Sequence, residues 1–336
     1  NVNPIAVFKR AWFSALTEEE IINAFKSLKE PNPLLANKVF TRMKLDLAIG
    51  AAFTRALTLA LEKRRFRFPR GMFLSYGPCQ SPVLYLVVQR ALEREKFKKR
   101  KYYTIEAVLN IKGRDVKFTA ILDKIFEREK AEKILQKLKL YSKAKVVEAK
   151  YVSKKTMPPI PLNTIELERA ATTYYNIRSK ETLELAEKLY RAGLISYPRT
   201  ETTRYPPSLN IRRIASKFKD SKEFGSYVNK ILSGEITPTK GKEDDKAHPP
   251  IYPVKYVPLK VVEQQYGVKA AKIYEYVIRH FLATLSPPAQ VEKHNIIVSI
   301  GGTLFKALGQ QVIEEGFYEI YPYTRPQDAP LPRVSI

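Results

Sequence analysis

The segment of this chain best suited to do chemistry is Tyr197-Pro198-Arg199. Tyr197 precedes a proline, which pushes its backbone towards extended angles and excludes a regular helix there. In an extended backbone, side chains two residues apart project to the same side, so we expect the phenol and the guanidinium of Arg199 to lie together. A guanidinium binds phosphate oxygens and favours the ionised, nucleophilic form of a nearby phenol. This geometry would suit a phenol aimed at a phosphodiester, with the guanidinium on the phosphate oxygens.

Composition indicates a polyanionic partner without saying what is done to it. The chain has 59 Lys and Arg against 34 Asp and Glu, a net charge of +25. Such an excess attracts phosphate backbones, with strongly salt-dependent binding. A basic protein with solvated lysine faces has the same charge balance. The chain also has 20 tyrosines, most of them expected to be core or interface residues. The Tyr-x-Arg pair alone is therefore weak evidence for a catalytic tyrosine.

Composition excludes several classes of protein. No run approaches the roughly 20 apolar residues that span a bilayer, and residues 1–10 lack a signal-peptide layout. A single cysteine, Cys79, excludes an internal disulfide framework and a paired-cysteine metal cluster. Three histidines, His248, His280 and His294, are too few for a His-rich metal site. We expect no membrane partner and no metal ligands in this chain.

Helical spacing dominates the first hundred residues. Residues 1–66 are predicted to be helical, with an apolar stripe through 35–61. A turn-rich loop follows at 74–80, and Ser81-Pro82 is typical of a helix start with proline at the first position. After residue 101 the pattern changes to alternation, which indicates strands.

The rest of the chain alternates between these two patterns. A hairpin turn is predicted at 112–115, a helix at 127–140 and a strand at 144–153. A stiff proline-rich linker at 157–161 precedes a second helical region, 163–290. Its predicted helices lie at 164–175, 180–191 and about 260–285, before alternation returns at 293–320. The two β stretches are therefore expected to share one sheet, with the helical region inserted between its strands.

The wording around Tyr197 resembles a known family. Residues 193–202 read GLISYPRTET, which strongly resembles the active-site tyrosine motif of type IA DNA topoisomerases in the topoisomerase III branch. Three further segments resemble that branch in the same order, namely LDLAIGAAFTR at 45–55, LSYGPCQSP at 74–82 and AHPPI at 247–251. Two shorter phrases, at 161–167 and 281–286, are also similar to it. The chain thus resembles an archaeal-type topoisomerase III over nearly its whole length.

The resemblance implies an α+β, multidomain fold, that of the type IA topoisomerase core. This core has helical domains, a β arch and an inserted helical, winged-helix-like domain that carries the tyrosine. The expected domains are a partial helical DNA-binding gate domain at 1–100, the first half of the arch at 101–160, the inserted domain at 161–290, return strands of the arch at 291–326 and a truncated linker at 327–336.

The resemblance also implies roles for individual residues. Tyr197 would be the nucleophile that forms a 5′-phosphotyrosine bond, and Arg199 would position the scissile phosphate. The residues that would contact DNA are Arg42, Asp46, Ser75, Tyr76, Gly77, Pro78, Cys79, Gln80 and His248. Two ordinary explanations stay open: Arg42 and Asp46 can form a simple i,i+4 surface pair, and His248 can be a turn residue before two prolines.

The resemblance implies Mg²⁺ as well, held in the family by an acidic Asp-x-Asp-x-Glu cluster of a Toprim domain. This sequence contains no such cluster. We therefore expect a fragment that lacks the Toprim domain and a C-terminal helical segment, with a Toprim-containing polypeptide in trans as a partner to test. The doublet Asp244-Asp245 is expected to be solvated. Arg191 stands where some bacterial members carry a glutamate.

The expected function is ATP-independent cleavage, strand passage and religation of single-stranded or underwound DNA, relaxing negative supercoils, with a cytoplasmic, nucleoid-associated location. One alternative is a non-catalytic DNA-binding remnant, using helix-turn-helix-like packing of 164–191. Another is a tyrosine recombinase, but that class places its His and Arg cluster before the tyrosine, whereas His248 follows Tyr197. We expect the isolated chain to bind DNA and to cleave it poorly.

Overall fold

A computed structural model describes residues 6–13, 18–69, 71–245 and 247–335, and the chain divides into two compact units. The first unit contains Asn1–Arg10 and Lys29–Lys101, and the second contains Ala11–Leu28 and Tyr102–Ile336. Ala11–Leu28 falls in the second unit, together with the sheet and the helical region.

The first unit is built on two helices. In α2 (Pro33–Lys63), the Asn32 side chain caps the start by accepting hydrogen bonds from two backbone N–H groups, with proline at the first position. In α3 (Gln80–Lys96), Pro82 occupies the third position rather than the first, where it also lacks only an N–H that has no partner in the first turn. The described residues of both helices include no buried side chain, so the predicted apolar stripe is helical but remains exposed.

A five-stranded antiparallel sheet forms one part of the second unit, in the order β1-β2-β5-β4-β3. Its strands are β1 (Glu106–Ile111), β2 (Arg114–Ala120), β3 (Lys145–Thr156), β4 (Ala289–Ile300) and β5 (Thr303–Glu314). Lys112 and Gly113 join β1 to β2 with φ of 50° and 81°, as a type I′ hairpin turn requires. The strands before and after the helical region thus share one sheet. The sheet has a small apolar core, and the buried residues of helix α4 (Arg128–Leu138) pack into it.

The helical block, residues 161–288, fills the gap in sequence between β3 and β4. Its helices are α5 (Thr164–Tyr175), α6 (Ser179–Arg191), α7 (Ile211–Ser216), α8 (Gly225–Leu232), α9 (Leu259–Tyr266) and α10 (Val268–Thr284). Helix α1 (Glu18–Lys26) belongs to the same unit. The single long helix expected at about 260–285 is wrong, because Gly267 adopts a φ of 89° and separates α9 from α10. A large apolar core runs through the block, and the α+β fold class is confirmed.

The described part of 327–336, expected as a linker, lies against the sheet. Ala329 forms a bridge with Gln310 of β5. The Leu331 N–H donates to Nδ1 of His294 at 3.0 Å, and the Val334 N–H donates to the hydroxyl of Tyr151 at 3.0 Å. None of the helices described is long and apolar enough to cross a bilayer.

Candidate active site around Tyr197

The tyrosine segment leaves α6 and is anchored on a neighbouring extended segment. Ile195 forms an antiparallel bridge with Pro253. The N–H of Ser196 donates to the Tyr252 carbonyl oxygen at 2.9 Å, and the N–H of Tyr252 donates to Oγ of Ser196 at 2.9 Å. Ser196 in turn donates to the Pro250 carbonyl oxygen at 3.0 Å. Both Ile195 and Ser196 are fully buried, so the backbone that enters Tyr197 is fixed.

The first residue of α5 holds the other side of the segment. The N–H of Thr164 donates to the Thr200 carbonyl oxygen at 3.0 Å. The Thr164 hydroxyl donates to the Pro198 carbonyl oxygen at 2.8 Å and accepts from the Thr200 N–H at 2.8 Å. These bonds fix the backbone on both sides of Arg199, because Pro198 and Thr200 flank it.

The side chains of Tyr197 and Arg199 both face α6. The half-buried Tyr197 ring packs edge-on against Tyr190, with centroids 5.3 Å apart. One turn earlier on α6, Glu187 Oε1 accepts from Nε of Arg199 at 2.8 Å. The phenol and the guanidinium thus leave neighbouring points of one backbone and rest on one helix face, an arrangement that suits attack on a bound phosphodiester.

His248 also packs against the ring of Tyr197. Its ring centroid lies 4.6 Å from that of Tyr197, with the ring planes at 52°. Asp245 holds this histidine in place: its Oδ1 accepts from the N–H of His248 at 2.9 Å and from the N–H of Ala247 at 2.8 Å. Its Oδ2 accepts from the Thr200 hydroxyl at 3.2 Å. The structure therefore brings Tyr197, Arg199 and His248 together.

Asp245 is exposed, as expected, and it also forms hydrogen bonds that the sequence did not predict. It ties the loop before His248 to the segment after Arg199, across 45 residues of sequence. The sequence offered one signal for this, an aspartate three residues before His248 and able to accept from the backbone N–H groups that follow it. Glu187 was missed for a simpler reason, since only the folded chain brings its carboxylate to Arg199.

Burial and these hydrogen bonds set the charges at the site. Burial raises the pKa of the Asp245 carboxyl, but the N–H donors of His248 and Ala247 outweigh it and hold that pKa below its ordinary value. Burial lowers the pKa of the His248 imidazole below its ordinary value of 6.5, with the Asp245 charge partly opposing. The imidazole beside Tyr197 is therefore neutral at pH 7, next to a permanently charged guanidinium.

The remaining candidate residues lie in the first unit. Nε of Arg42 is 3.8 Å from Oδ2 of Asp46, an exposed i,i+4 pair of the kind left open above. In the loop 75–80, the N–H of Tyr76 donates to Oγ1 of Thr54 at 2.9 Å, and the Tyr76 ring stacks on Phe53. The other members of this loop are Ser75, Gly77, Pro78, Cys79 and Gln80. The loop is thus held on α2 with an exposed thiol at Cys79, directly before α3.

The residues described here do not fit a Mg²⁺ site. Across 6–13, 18–69, 71–245 and 247–335, no group of three or more His, Cys, Asp or Glu side chains could hold a metal ion. Among the carboxylates near Tyr197 and Arg199, Glu187 and Asp245 accept hydrogen bonds from protein donors, and Glu168 interacts with Arg199 through its charge. What this chain itself supplies is the phenol, the guanidinium and the imidazole.

Comparison with known proteins points to one family. A family model described as DNA topoisomerase matches residues 30–336. DNA topoisomerase 3 of Schizosaccharomyces pombe is 36% identical over 324 residues, which cover 96% of this chain and 51% of that protein. Human DNA topoisomerase 3-alpha is 34% identical over 332 residues, 98% of this chain and 33% of that protein. The chain thus spans about half or less of the length of these curated relatives, which are eukaryotic and do not single out an archaeal type.

A solved structure gives the same answer for the fold. Full-length topoisomerase I from Thermotoga maritima superposes with a TM-score of 0.74 at 23% identity, covering 97% of this chain and 52% of that one. At this identity the likeness concerns the fold alone. The matched family model spans nearly all of this chain, and the curated relatives named above are topoisomerase 3 proteins. The chain therefore belongs to the type IA DNA topoisomerase family and is most like its topoisomerase III branch.

Proposed function

We propose that this chain carries the tyrosine part of a type IA topoisomerase reaction. The phenol oxygen of Tyr197 attacks the phosphorus of one DNA strand and forms a 5′-phosphotyrosine bond, while the 3′ oxygen of the preceding nucleotide leaves and takes up a proton. Attack by that 3′-hydroxyl on the same phosphorus reverses the step and reseals the strand. One phosphoester bond replaces another, so the reaction needs no ATP. The observation that carries this proposal is the Tyr197–Arg199 pair on one face of α6, beside His248.

Each neighbour of Tyr197 has a part in this step. The Arg199 guanidinium binds the phosphate oxygens and offsets the charge that builds on phosphorus. The neutral imidazole of His248 can exchange a hydrogen bond with the phosphate without adding a second charge. Arg42, Asp46 and the loop 75–80 are proposed to contact DNA, as the resemblance implies for these positions.

Strand passage requires the tyrosine to move with its strand. We propose that the helical block moves and that the sheet acts as the arch that carries it. Support comes from the chain connections: the chain enters the block through a segment with three prolines in 157–161 and leaves it through Pro287 and Pro288 before β4. Proline fixes φ at both crossings and so restricts them to few backbone states. Ala289 and Val291 at the start of β4 also pack in the core of the block.

The proposed substrate is single-stranded or underwound DNA, in keeping with the net charge of +25, and relaxation of negative supercoils is the proposed outcome. Mg²⁺ is the proposed cofactor, with ligands outside the residues described here, and a Toprim-containing polypeptide is the proposed source of them. The corresponding location is the cytoplasm, at the nucleoid.

The test uses a single-stranded oligonucleotide labelled at either end, with Mg²⁺, and with and without an added Toprim polypeptide. We expect a covalent protein–DNA band that retains the label on the 5′-phosphate side of the break and is lost in Tyr197→Phe. Tyr266→Phe is the matched control, because it removes a phenol oxygen at the end of α9, outside the site. An adduct on the 3′ side would indicate recombinase-type chemistry. Salt-sensitive binding without any adduct would indicate a DNA-binding protein that does not cleave.

A further inference from the structure

Glu187 holds the guanidinium of Arg199 from one side. Nε of Arg199 donates to Glu187 Oε1 at 2.8 Å, and Nη2 lies 2.8 Å from the same oxygen. The Glu187 side chain is 27% exposed, while that of Arg199 is 54% exposed. The other oxygen of Glu187 lies 3.7 Å from Nη2 of Arg191, so the carboxylate is fixed from a second direction. The partly buried group in this pair is the carboxylate, and the guanidinium reaches it from the surface.

This contact uses one edge of the guanidinium, and the charge of Glu168 also acts on Arg199. A guanidinium carries five N–H donors in a planar fork with two usable edges. Glu187 occupies the edge made by Nε and Nη2, and the edge made by Nη1 and Nη2 points away from that carboxylate. A phosphate can therefore bind Arg199 while Glu187 still holds it.

The same helix also sets the position of the phenol. Tyr190 lies three residues after Glu187 on α6 and packs against the Tyr197 ring. Helix residues three apart lie on one face, so α6 presents one support for the phenol and one for the guanidinium. Without its support, an exposed arginine samples many rotamers, whereas the phenol keeps its contacts with the rings of Tyr190 and His248.

We propose that Glu187 is the positioning residue for Arg199: it fixes the guanidinium so that its open edge meets the scissile phosphate beside Tyr197. This inference rests on the proposed function for its role in cleavage. The Glu187 charge opposes phosphate binding, so its contribution is geometric and belongs to the cleavage step rather than to affinity. Loss of Glu187 should therefore slow adduct formation and leave DNA affinity nearly unchanged.

The first measurement tests the contact itself. In the ¹⁵N–¹H spectrum of the arginine Nε–H groups, we expect a slowly exchanging signal that disappears in Arg199→Lys and is thereby assigned. It should be lost in Glu187→Ala and kept in Glu184→Ala, which removes the same charge from an exposed position on α6. The signal should persist when a single-stranded oligonucleotide binds. Its loss on DNA binding would show that the phosphate displaces Glu187, and the positioning role would be wrong.

The second measurement separates binding from cleavage, using adduct formation under the conditions of the Tyr197 test. Glu187→Ala should lower the rate of adduct formation about 10- to 100-fold, with the Kd for the oligonucleotide within about threefold of the original. In Glu187→Gln, which keeps an acceptor oxygen, the rate of adduct formation should lie between those of Glu187→Ala and the original protein. Glu184→Ala should change neither the rate nor the Kd. In an Arg199→Ala background, Glu187→Ala should not lower the rate any further.

The outcomes of the two proposals are distinguishable. An equal, additive loss in the Arg199→Ala background would show that Glu187 acts on the fold rather than through Arg199, and would overturn the inference. If the original protein forms no adduct, the proposed function fails, while the arginine spectrum still decides whether Glu187 holds Arg199 when DNA is bound.

Discussion

At the scale of single residues, two carboxylates hold groups that we propose meet the phosphate. Asp245 holds the backbone of His248, and Glu187 holds the guanidinium of Arg199. Neither carboxylate is free to serve as an acid or a metal ligand without giving up these contacts. In the proposed function, these negative charges serve geometry and the positive charge of Arg199 meets the substrate.

The titration of His248 tests how Asp245 acts. Burial lowers the pKa of the imidazole below 6.5, and the Asp245 charge opposes this shift. Asp245→Asn should therefore lower the pKa of His248 further, measured by NMR titration of its ring protons. Glu243→Gln, which removes a nearby charge without contact to the ring, should leave it unchanged. A rise in the pKa of His248 in Asp245→Asn would contradict this account.

The sign of the resulting pH dependence follows from the same shift. The unfolded chain binds a proton at His248 more readily than the folded chain does, since the folded pKa is the lower one. The stability that the neutral imidazole contributes is complete above pH 6.5 and is lost as the pH falls through the folded value. Urea unfolding of the original protein at pH 7.5 and at lower pH measures this loss in the free energy of unfolding. In His248→Gln, the part of the pH dependence that His248 contributes over that window should be absent.

The sequence predicts Tyr197 and Arg199 as site residues because the two lie close in the chain, separated by one proline. It predicts His248 through a motif that resembles one of the family. It could not reach Glu187, whose contact with Arg199 depends on how α6 packs beneath the tyrosine segment. For Asp245 it expected an exposed side chain but not its partners, since Thr200 and Thr202 lie more than 40 residues away in sequence.

At the scale of elements, local capping signals decided which helix bounds could be predicted. The bounds of α5 match the prediction, and its start is capped by the Asn163 side chain and its end by Asn176 in a left-handed conformation. The break between α9 and α10 could not be seen, because the apolar period continues across Gly267 and one glycine is tolerated within a helix. Only its φ of 89° shows that this glycine ends a helix.

Gly267 is therefore a position where a side chain should be costly. Gly267→Ala places a Cβ on a backbone with φ of 89°, which is strained for any L-residue even though no atom lies within 4 Å of that Cβ. We expect a loss of about 1–3 kcal/mol in the free energy of unfolding, measured in urea. In the control Gly234→Ala, the new Cβ meets only a carbonyl oxygen at 4.0 Å without that φ, and stability should be nearly unchanged. Equal losses in both variants would contradict the strain argument.

At the scale of the whole molecule, charge is the property that the sequence predicts most directly and packing the one it predicts least. The count of 59 basic residues is independent of the fold. By contrast, the pattern of α2 predicted an apolar stripe without saying what covers it, and in the structure Leu45 is 55% exposed and Ile49 36% exposed. Periodicity fixes which residues share a helix face, and it does not tell what covers that face.

The net charge of +25 gives a prediction for DNA binding. Affinity for a single-stranded oligonucleotide should fall about 100-fold between 50 and 200 mM salt, since each neutralised phosphate contributes a slope of about −0.7 and five contacts suffice. Fluorescence anisotropy across a salt series measures this slope. An oligonucleotide with uncharged methylphosphonate linkages should bind weakly and without the slope, and strong salt-independent binding of the charged strand would contradict the prediction.

The N-terminal part of the second unit has a consequence of a different kind. Trp12 is the single tryptophan of the chain, and its half-buried indole N–H donates to the carbonyl oxygen of Ala247 at 3.1 Å, next to His248. Light absorbed by tryptophan alone therefore excites one fluorophore, located where Ala11–Leu28 meets the loop that holds the histidine. Trp12 therefore reports on the edge of the site by its own fluorescence, and its emission wavelength should shift when that contact is lost, without any added dye.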